Sequence, residues 1–434
     1  MDKPILILVS RRTNRLLYIL RYVFEDRLQS AFEISTSEEE FLSYSGHKLN
    51  FSQLRTEGVL HLIPSKILFE KRLQEPHLEV DKQAEFPLLF SNNTKELGHD
   101  VLGAIFYLIT RYEEYLPFRK DEHGRFSSTE SIANKYGFLK KPLVDLYIIR
   151  FANWLNAGFD GDHYKALKGF KQVITMDVDQ IYMFRAKGLA RTALALAKDA
   201  VKDPKQFSAR SATVFNNRKD PNDIYSEFLD AASTTKSETI FFFQVGDGSR
   251  FDINNPPHLP RIKSKMNELS LKTEVGLHPS YFTSEHPEMM QREFGRFNAV
   301  SNMKLFRSRQ HYLRFQIPST FRALEELGVS EEYSMAYTDD NGFRASTCFP
   351  YPFFDLSKDE VTALTIHPTC FLDITSVRNA VDLSSAKREL TEIYNEVKAV
   401  GGHMITVWHP EVLNGYDVPF GSRELYVHLL DISA

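Results

Sequence analysis

Cysteine is nearly absent: Cys348 and Cys370 are the only two in 434 residues. One pair cannot supply a disulfide framework for a chain of this size, and the usage fits a reducing compartment. An excess of basic residues is missing too. The formal net charge of −4 argues against general nucleic-acid binding, because phosphate backbones call for a basic face. No apolar run approaches the roughly 20 residues that a membrane-crossing helix needs. The opening MDKPILILVSRRTNR sets a short apolar run ahead of three arginines, the reverse order of a secretory leader. Cytoplasmic location is therefore the expectation. No internal repeat and no low-complexity tract occurs.

What is present is an ordinary globular composition, slightly rich in aromatics at 13%. The length predicts two domains, each able to bury its own core. Pro4–Ser10 reads as a first buried strand and 15–25 as the amphipathic helix after it. Strand-like runs recur at 58–63 and 86–90, and helices are expected at 100–115 and 142–155. Residues 1–165 therefore form a small α/β domain of unknown role. Its histidines (47, 61, 77, 99, 123 and 163) stand without motif partners and read as surface or packing residues. The glycine-bearing stretch 156–170 is the expected boundary. Beyond it, strands alternate with helices to the end of the chain, as in a parallel sheet or barrel spanning 170–434. Strands are expected within 171–184, at 238–245, 273–278 and 304–312, and further strands or strand ends at GFRAS (342–346), ALTIHP and HMITVWHP.

The organising stretch is KQVITMDVDQIYMF, 171–184. Val173, Ile174, Met176 and Val178 mark a buried strand, and Asp177 and Asp179 interrupt it at a spacing of two. That spacing puts both carboxylates on one face of the strand. Two ionised carboxylates so close repel unless a cation or shared proton relieves them. One as a metal ligand and the other as a free base is the simplest arrangement. Histidines arrive at later strand ends: His278, His311 and His409. A carboxylate with imidazoles and an open position is the donor set of a catalytic zinc-type site.

The motifs in order resemble the polysaccharide deacetylase (NodB-homology) family of carbohydrate esterases, over about residues 170–415. TMDVD is similar to the first motif and ETIFFFQVGD to the strand that follows it. EVGLHPS is similar to the second motif, GFRAS to the third, FLDIT to the fourth, and ITVWHP to the final histidine motif. The whole chain resembles a divergent bacterial branch with an added N-terminal domain. The resemblance implies a distorted NodB-like (β/α) barrel and a metal-dependent hydrolase that removes an acetyl or other acyl group from a sugar or polysaccharide. It implies Asp179 and His278 as ligands of a divalent metal, zinc being the expected one, and Asp177 as general base. It further implies Arg344 as the charge partner of Asp177, His409 as general acid and Asp373 as its orienting carboxylate. Val407, Trp408 and Pro410 would wall the acyl pocket.

The family's second motif carries another histidine four residues after the first, but position 282 is Phe. His311 is the expected replacement as third metal ligand, because adjacent parallel strands lie about 4.8 Å apart and their ends can share one ion. Arg307 and Arg309 alternate with it along the expected strand. His286 is the nearer substitute in sequence, but about 12 Å of helical rise would separate its backbone from that of His278. Two rival readings stand beside the deacetylase: a DxD-type glycosyltransferase using a metal and a sugar nucleotide, and a non-catalytic glycan-binding descendant. The expected partner is a carbohydrate or acylated small molecule. The basic amphipathic stretch 188–201, with Lys187, Arg191 and Lys198 nearby or on it, is a candidate for peripheral contact with an anionic membrane surface.

Overall fold

The computed structural model describes residues 3–92, 97–301, 305–415 and 422–434. It divides into two compact units. The first is 1–170 with 342–368 and 395–403; the second is 171–341 with 369–394 and 404–434.

In the first unit, Ile5–Val9 lies between Phe32–Ser35 and Lys48–Phe51, and Leu60–Leu62 completes a parallel four-stranded sheet. The central strand ILILV is buried at four of five positions, as parallel strands with elements on both faces are. The helix expected at 100–115 is shorter, Val101–Ile109. Asp100 caps it by accepting from the Gly103 amide, and every residue of it is buried. Arg111 then takes a left-handed φ of 52° and the chain tightens into a short turn at Tyr112–Tyr115. The run expected as a strand over 86–90 narrows to Leu88–Leu89, paired antiparallel with Val80–Asp81.

By compactness, 342–368 and 395–403 cluster with the first unit. The reason is a set of buried polar contacts. Asp145, fully buried on the helix Leu143–Gly158, pairs with Arg27 at 2.6 Å and accepts from the Thr347 hydroxyl and the Cys348 amide, both at 2.9 Å. Glu114 receives the Arg344 guanidinium through two bonds of 2.9 and 2.6 Å. GFRAS is consequently a turn and not a strand. Gly342 sits at φ 143°, where an added Cβ would come within 2.4 Å of the Leu139 carbonyl oxygen, and Phe343 donates to that same oxygen. Tyr351–Asp355 and Glu360–Ile366 follow as an antiparallel hairpin.

The second unit is built on Lys171–Val178. On one side, Glu238–Phe243, Glu274–Leu277, Arg307–Ser308 and Glu331–Glu332 add in chain order, each parallel to the one before. On the other side lies His403–Trp408, with Phe371–Leu372 parallel beyond it. Chain order thus reverses beside Lys171–Val178. In open parallel sheets the crevice at such a switch point, outside the carboxyl ends of the strands, is where ligands bind. Among the described residues the order of this unit has two ends, Glu331–Glu332 and Phe371–Leu372. Val173, Ile240, Phe242, Tyr333 and Ile405 form one buried cluster under the sheet. The strand expected over 304–312 is only Arg307–Ser308, and Lys304 lies outside the described residues.

The excursion after the first strand of this unit forms two helices, Leu189–Lys202 and Pro204–Phe215, tied by an Arg210–Asp199 ion pair at 2.6 Å. Leu189, Leu194 and Val201 of the first are exposed. Among the described residues no helix is long and apolar enough to cross a membrane.

Removing one member of a buried, hydrogen-bonded ion pair leaves the other charge uncompensated. Asp145→Ala should therefore lower stability by about 3–5 kcal/mol, read as a shifted midpoint in urea unfolding of the full chain. Lys165→Ala, which breaks the exposed Lys165–Asp162 pair, should stay within about 0.5 kcal/mol of the parent. Equal midpoints for the two variants would refute the buried-pair account.

A candidate metal and acid–base centre

The site assembles from strand ends of the second unit. Asp177 occupies the last turn of the pleat in Lys171–Val178, paired opposite Phe242, and Asp179 follows the strand directly. His278 follows Glu274–Leu277, and its amide still donates to the Phe243 carbonyl. His311 lies three residues past Arg307–Ser308, but the backbone keeps pairing with the neighbouring chain: Arg309 N donates to Leu277 O, and His311 N to Pro279 O. This continued register, rather than a formal strand, carries His311 to His278. The residues after it, Tyr312 and Leu313, then take left-handed φ values of 59° and 47°, strain of the kind that sites retain when their surroundings enforce it.

Asp179, His278 and His311 converge so that one donor atom from each lies within 4.8 Å of the others. His278 Nε2 stands 3.2 Å from Asp179 Oδ1, and His311 Nε2 stands 3.4 Å from Asp179 Oδ2. The far nitrogens decide what these contacts mean. His278 Nδ1 donates to the Arg309 carbonyl at 2.6 Å, and His311 Nδ1 stands 2.9 Å from both Asp252 Oδ1 and the Gln244 side-chain amide, the carboxylate being the acceptor that a protonated Nδ1 requires. With Nδ1 carrying the proton, each neutral ring aims an Nε2 lone pair at a carboxylate, acceptor against acceptor. A cation between them resolves that conflict, and backbone carbonyls or carboxylates on the remote nitrogen are what hold metal-ligating histidines in place. Asp179 Oδ1 is moreover buried with no hydrogen-bond partner. The residues present fit a divalent ion. Without one, the neighbouring Asp179 and Asp252 charges overcome the effect of burial and push His311 up to about 10.

Asp177 is handled differently. Its Oδ1 is held at 2.8 Å by Arg309 Nη1, and its Oδ2 faces His278 Nε2 at 3.8 Å and His409 Nε2 at 4.0 Å. Arg309 is 0% exposed; it donates further to Thr175, Thr369 and the Tyr333 carbonyl and lies over the Phe242 ring. Burial alone would raise the Asp177 carboxyl, but Arg309, with His278 and His409, holds it below the usual carboxylate range. The pairing role expected of Arg344 is thus filled by Arg309. Arg344 belongs to the first unit, bound to Glu114, because an arginine buried there needs its own carboxylate.

On the other side of Asp177, His409 follows His403–Trp408 and is clamped by Asp373, the first residue of the helix Asp373–Asn379. Its Nδ1 donates to Oδ1 at 2.7 Å and its backbone amide to Oδ2 at 2.8 Å. Although burial opposes it, Asp373, aided by Asp177 and Asp179, pushes His409 up to about 10. Trp408 is fully buried and donates to Thr406 Oγ1, with its ring against Tyr426 and Phe371. Val407 lies in a buried cluster with Leu313, Ala336 and Leu372. Both are core residues here, so the acyl-pocket wall expected of them is not formed by exposed surface.

Phe282 sits in the turn Tyr281–Ser284 within an aromatic group, its ring 5.0 Å from Tyr281 and 5.9 Å from Phe251. Tyr312 joins that group, 5.3 Å from Tyr281 and 4.7 Å from the His311 ring, and is 38% exposed. His286 is remote in character: an exposed ring beside Glu288 at 3.3 Å. Sequence reasoning missed Arg309, Asp252 and Glu411. Arg309 left a trace, lying two residues before His311 in SRQH, but Asp252 in a loop of RFDINN gives no signal.

Comparison with known proteins adds the following. A family model described as a family of unknown function, DUF7033, matches residues 5–160. It does not reach 170–415, where the motifs discussed above lie. No curated protein matches the chain. Among solved structures, a protein assigned as a polysaccharide deacetylase from Mycobacterium smegmatis is 13% identical with a TM-score of 0.41, covering 62% of this chain and 85% of its own. IcaB from Ammonifex degensii is 15% identical with a TM-score of 0.23, covering 39% of this chain and 85% of its own.

Zinc content of the purified protein should be about one per chain, the capacity of a single three-ligand site. His311→Ala and Asp179→Ala should lose it, while His286→Ala keeps it. Asp252→Ala, which releases the far nitrogen of His311, should weaken zinc binding by about 10–100-fold. Full zinc in His311→Ala would remove that residue from the ligand set.

Proposed function

We propose that the second unit is a metal-dependent hydrolase that removes an acetyl or related acyl group from an N- or O-acylated sugar, in a distorted (β/α) barrel of the deacetylase type. The observation that carries this reading is the division of labour around the DVD pair. Asp179 joins two imidazoles into a ligand set, while Asp177 is kept out of it and tied by one oxygen to Arg309. The order of the sequence motifs supports the same assignment.

A divalent ion, with zinc best suited to two imidazoles and a carboxylate, would be held by Asp179, His278 and His311 and would supply Lewis acidity toward the acyl carbonyl and a more acidic water. Asp177 takes the proton from the attacking water at Oδ2, the oxygen that Arg309 leaves free. Arg309 keeps that carboxylate ionised and fixes its plane. His409 gives a proton from Nε2 to the departing amine or alcohol, and Asp373 on Nδ1 keeps the ring protonated and oriented. The aromatic edge formed by Phe251, Phe282 and Tyr312 beside His311 suits the apolar face of a sugar ring. A DxD glycosyltransferase would leave His278, His311 and His409 idle, whereas here each has a partner in one site. Peripheral membrane contact through 188–201 stays a proposal, supported by exposed Leu194 and Val201 beside Arg191 and Lys198.

Asp177→Asn should retain zinc and lose turnover on an acetylated chito-oligosaccharide or a generic acetyl ester by about 10²-fold or more. Loss of zinc in that variant would make Asp177 a ligand instead. The second test uses pH. Activity needs His409 protonated, so the rate falls as pH rises through the pKa of that ring. Removing the Asp373 charge lowers that pKa, and Asp373→Asn should move the alkaline limb of the rate profile to lower pH by at least one unit. An unmoved limb with a uniformly lower rate would deny His409 its acid role.

A further inference from the structure

Beside the proposed centre lies a cavity of about 600 Å³ that the hydrolytic residues do not use. It shares its walls with them. Gln180, next after Asp179, lines it, as do Asp252, which holds His311, and Glu411, two residues past His409. The opposite wall comes from the excursion after the first strand and brings three cations: Lys187, Arg191 and Arg210.

Arg210 is satisfied within the protein by Asp199, and it lies over the Phe184 ring. The other two are not. Lys187 is largely buried, yet its ammonium has a single hydrogen bond among the described residues, to the neutral amide oxygen of Gln180 at 2.5 Å. Arg191 makes no ion pair or hydrogen bond among the described residues, and its guanidinium reaches toward Gly248 on the far wall. A lysine buried without a carboxylate is costly to keep charged. The nearest acidic group, Glu411, does not pair with it within 4 Å; one oxygen accepts from Asn222 and the other is buried without a partner.

We infer that this cavity is a subsite for an anionic substituent of the substrate, a carboxylate or a phosphate ester, with Lys187 and Arg191 as its binding residues. The inference rests on the proposed function for what lies next door, since Gln180 and Asp252 of the cavity wall adjoin Asp179 and His311. It names the substrate class: an acylated sugar that carries a negative charge near the acyl group. A compact anion between Lys187 and Arg191 supplies the partner that neither has. Glu411 in the same wall is engaged elsewhere, one oxygen accepting from Asn222.

The test is binding, read separately from hydrolysis. N-Acetylglucosamine, N-acetylglucosamine 1-phosphate and N-acetylmuramic acid are titrated by calorimetry into the zinc-loaded full chain at low salt. At least one anionic sugar should bind about tenfold or more tighter than the neutral one, the worth of a single partly buried ion pair, and the ratio should shrink as salt is raised. In Lys187→Met and in Arg191→Gln the ratio should fall toward one. Arg191 is on an exposed helix face, so its variant reports even where the lysine variant fails to fold, and zinc content confirms the fold of each. Preference for the phosphate alone assigns a phosphate ester; preference for both assigns any compact anion. Equal binding of all three sugars, or a preference that survives both substitutions, overturns the subsite. A clear anionic preference without any deacetylation would count against the proposed function and leave the subsite standing.

Discussion

The buried pair between Arg309 and Asp177 is the constraint on which the site depends. Neither group is tolerable alone in that position: Arg309 is wholly buried and Asp177 nearly so, and an unpaired charge there would cost several kcal/mol. Their pairing also distributes the arginine's other donors to Thr175, Thr369 and the Tyr333 carbonyl. One side chain thereby ties together the strand that carries the two aspartates, the segment that carries His311 and the approach to Phe371–Leu372. Its backbone serves as well, because the Arg309 carbonyl is the acceptor that sets the tautomer of His278.

Two chemically similar aspartates acquire different roles from this arrangement. Among the described residues Asp179 pairs with no cationic side chain other than imidazoles, and one of its oxygens is buried without a hydrogen bond. Asp177 has a permanent guanidinium on one oxygen and open space toward two histidines on the other. A carboxylate already neutralised by arginine is a poor ligand and a well-oriented base. One lacking such a partner is the reverse. The histidines are sorted by the same logic, since His278 and His311 turn Nε2 toward Asp179 while His409 is drawn aside by the fully buried Asp373. Environment, not residue type, assigns the parts.

Around position 282 it is topology, rather than spacing along a helix, that groups the donor atoms. A helical i,i+4 pair of histidines puts both on one face, but here the fifth residue of that span is an aromatic in a tight turn. The third donor atom of the cluster, from His311, comes from the next parallel segment instead. That solution requires the backbone of 309–311 to follow 277–279 beyond the end of any regular strand, and the left-handed residues at 312 and 313 follow directly. Phe282 instead packs with Phe251 and Tyr281, and Tyr312 beside His311 joins that aromatic group.

The sequence by itself determined the alternation of strands and helices, the break near residue 170 and the DVD strand with its two same-faced carboxylates, because periodicity and spacing are local properties of the chain. It also singled out His278, His311 and His409 as chemistry-bearing residues at the ends of apolar runs. Only the tertiary structure decided the partners. An arginine in GFRAS and an arginine in SRQH look equally able to meet Asp177, and burial beside Glu114 took the first while pairing across the sheet delivered the second. Asp252 became the support of His311 from a loop without periodicity, and 342–368 joined the first unit because its polar groups are completed by Asp145 and Glu114. Such choices are made by contacts between residues 59 to 230 positions apart, where desolvation forces each buried charge to find one particular counterpart, and no window along the chain contains that information.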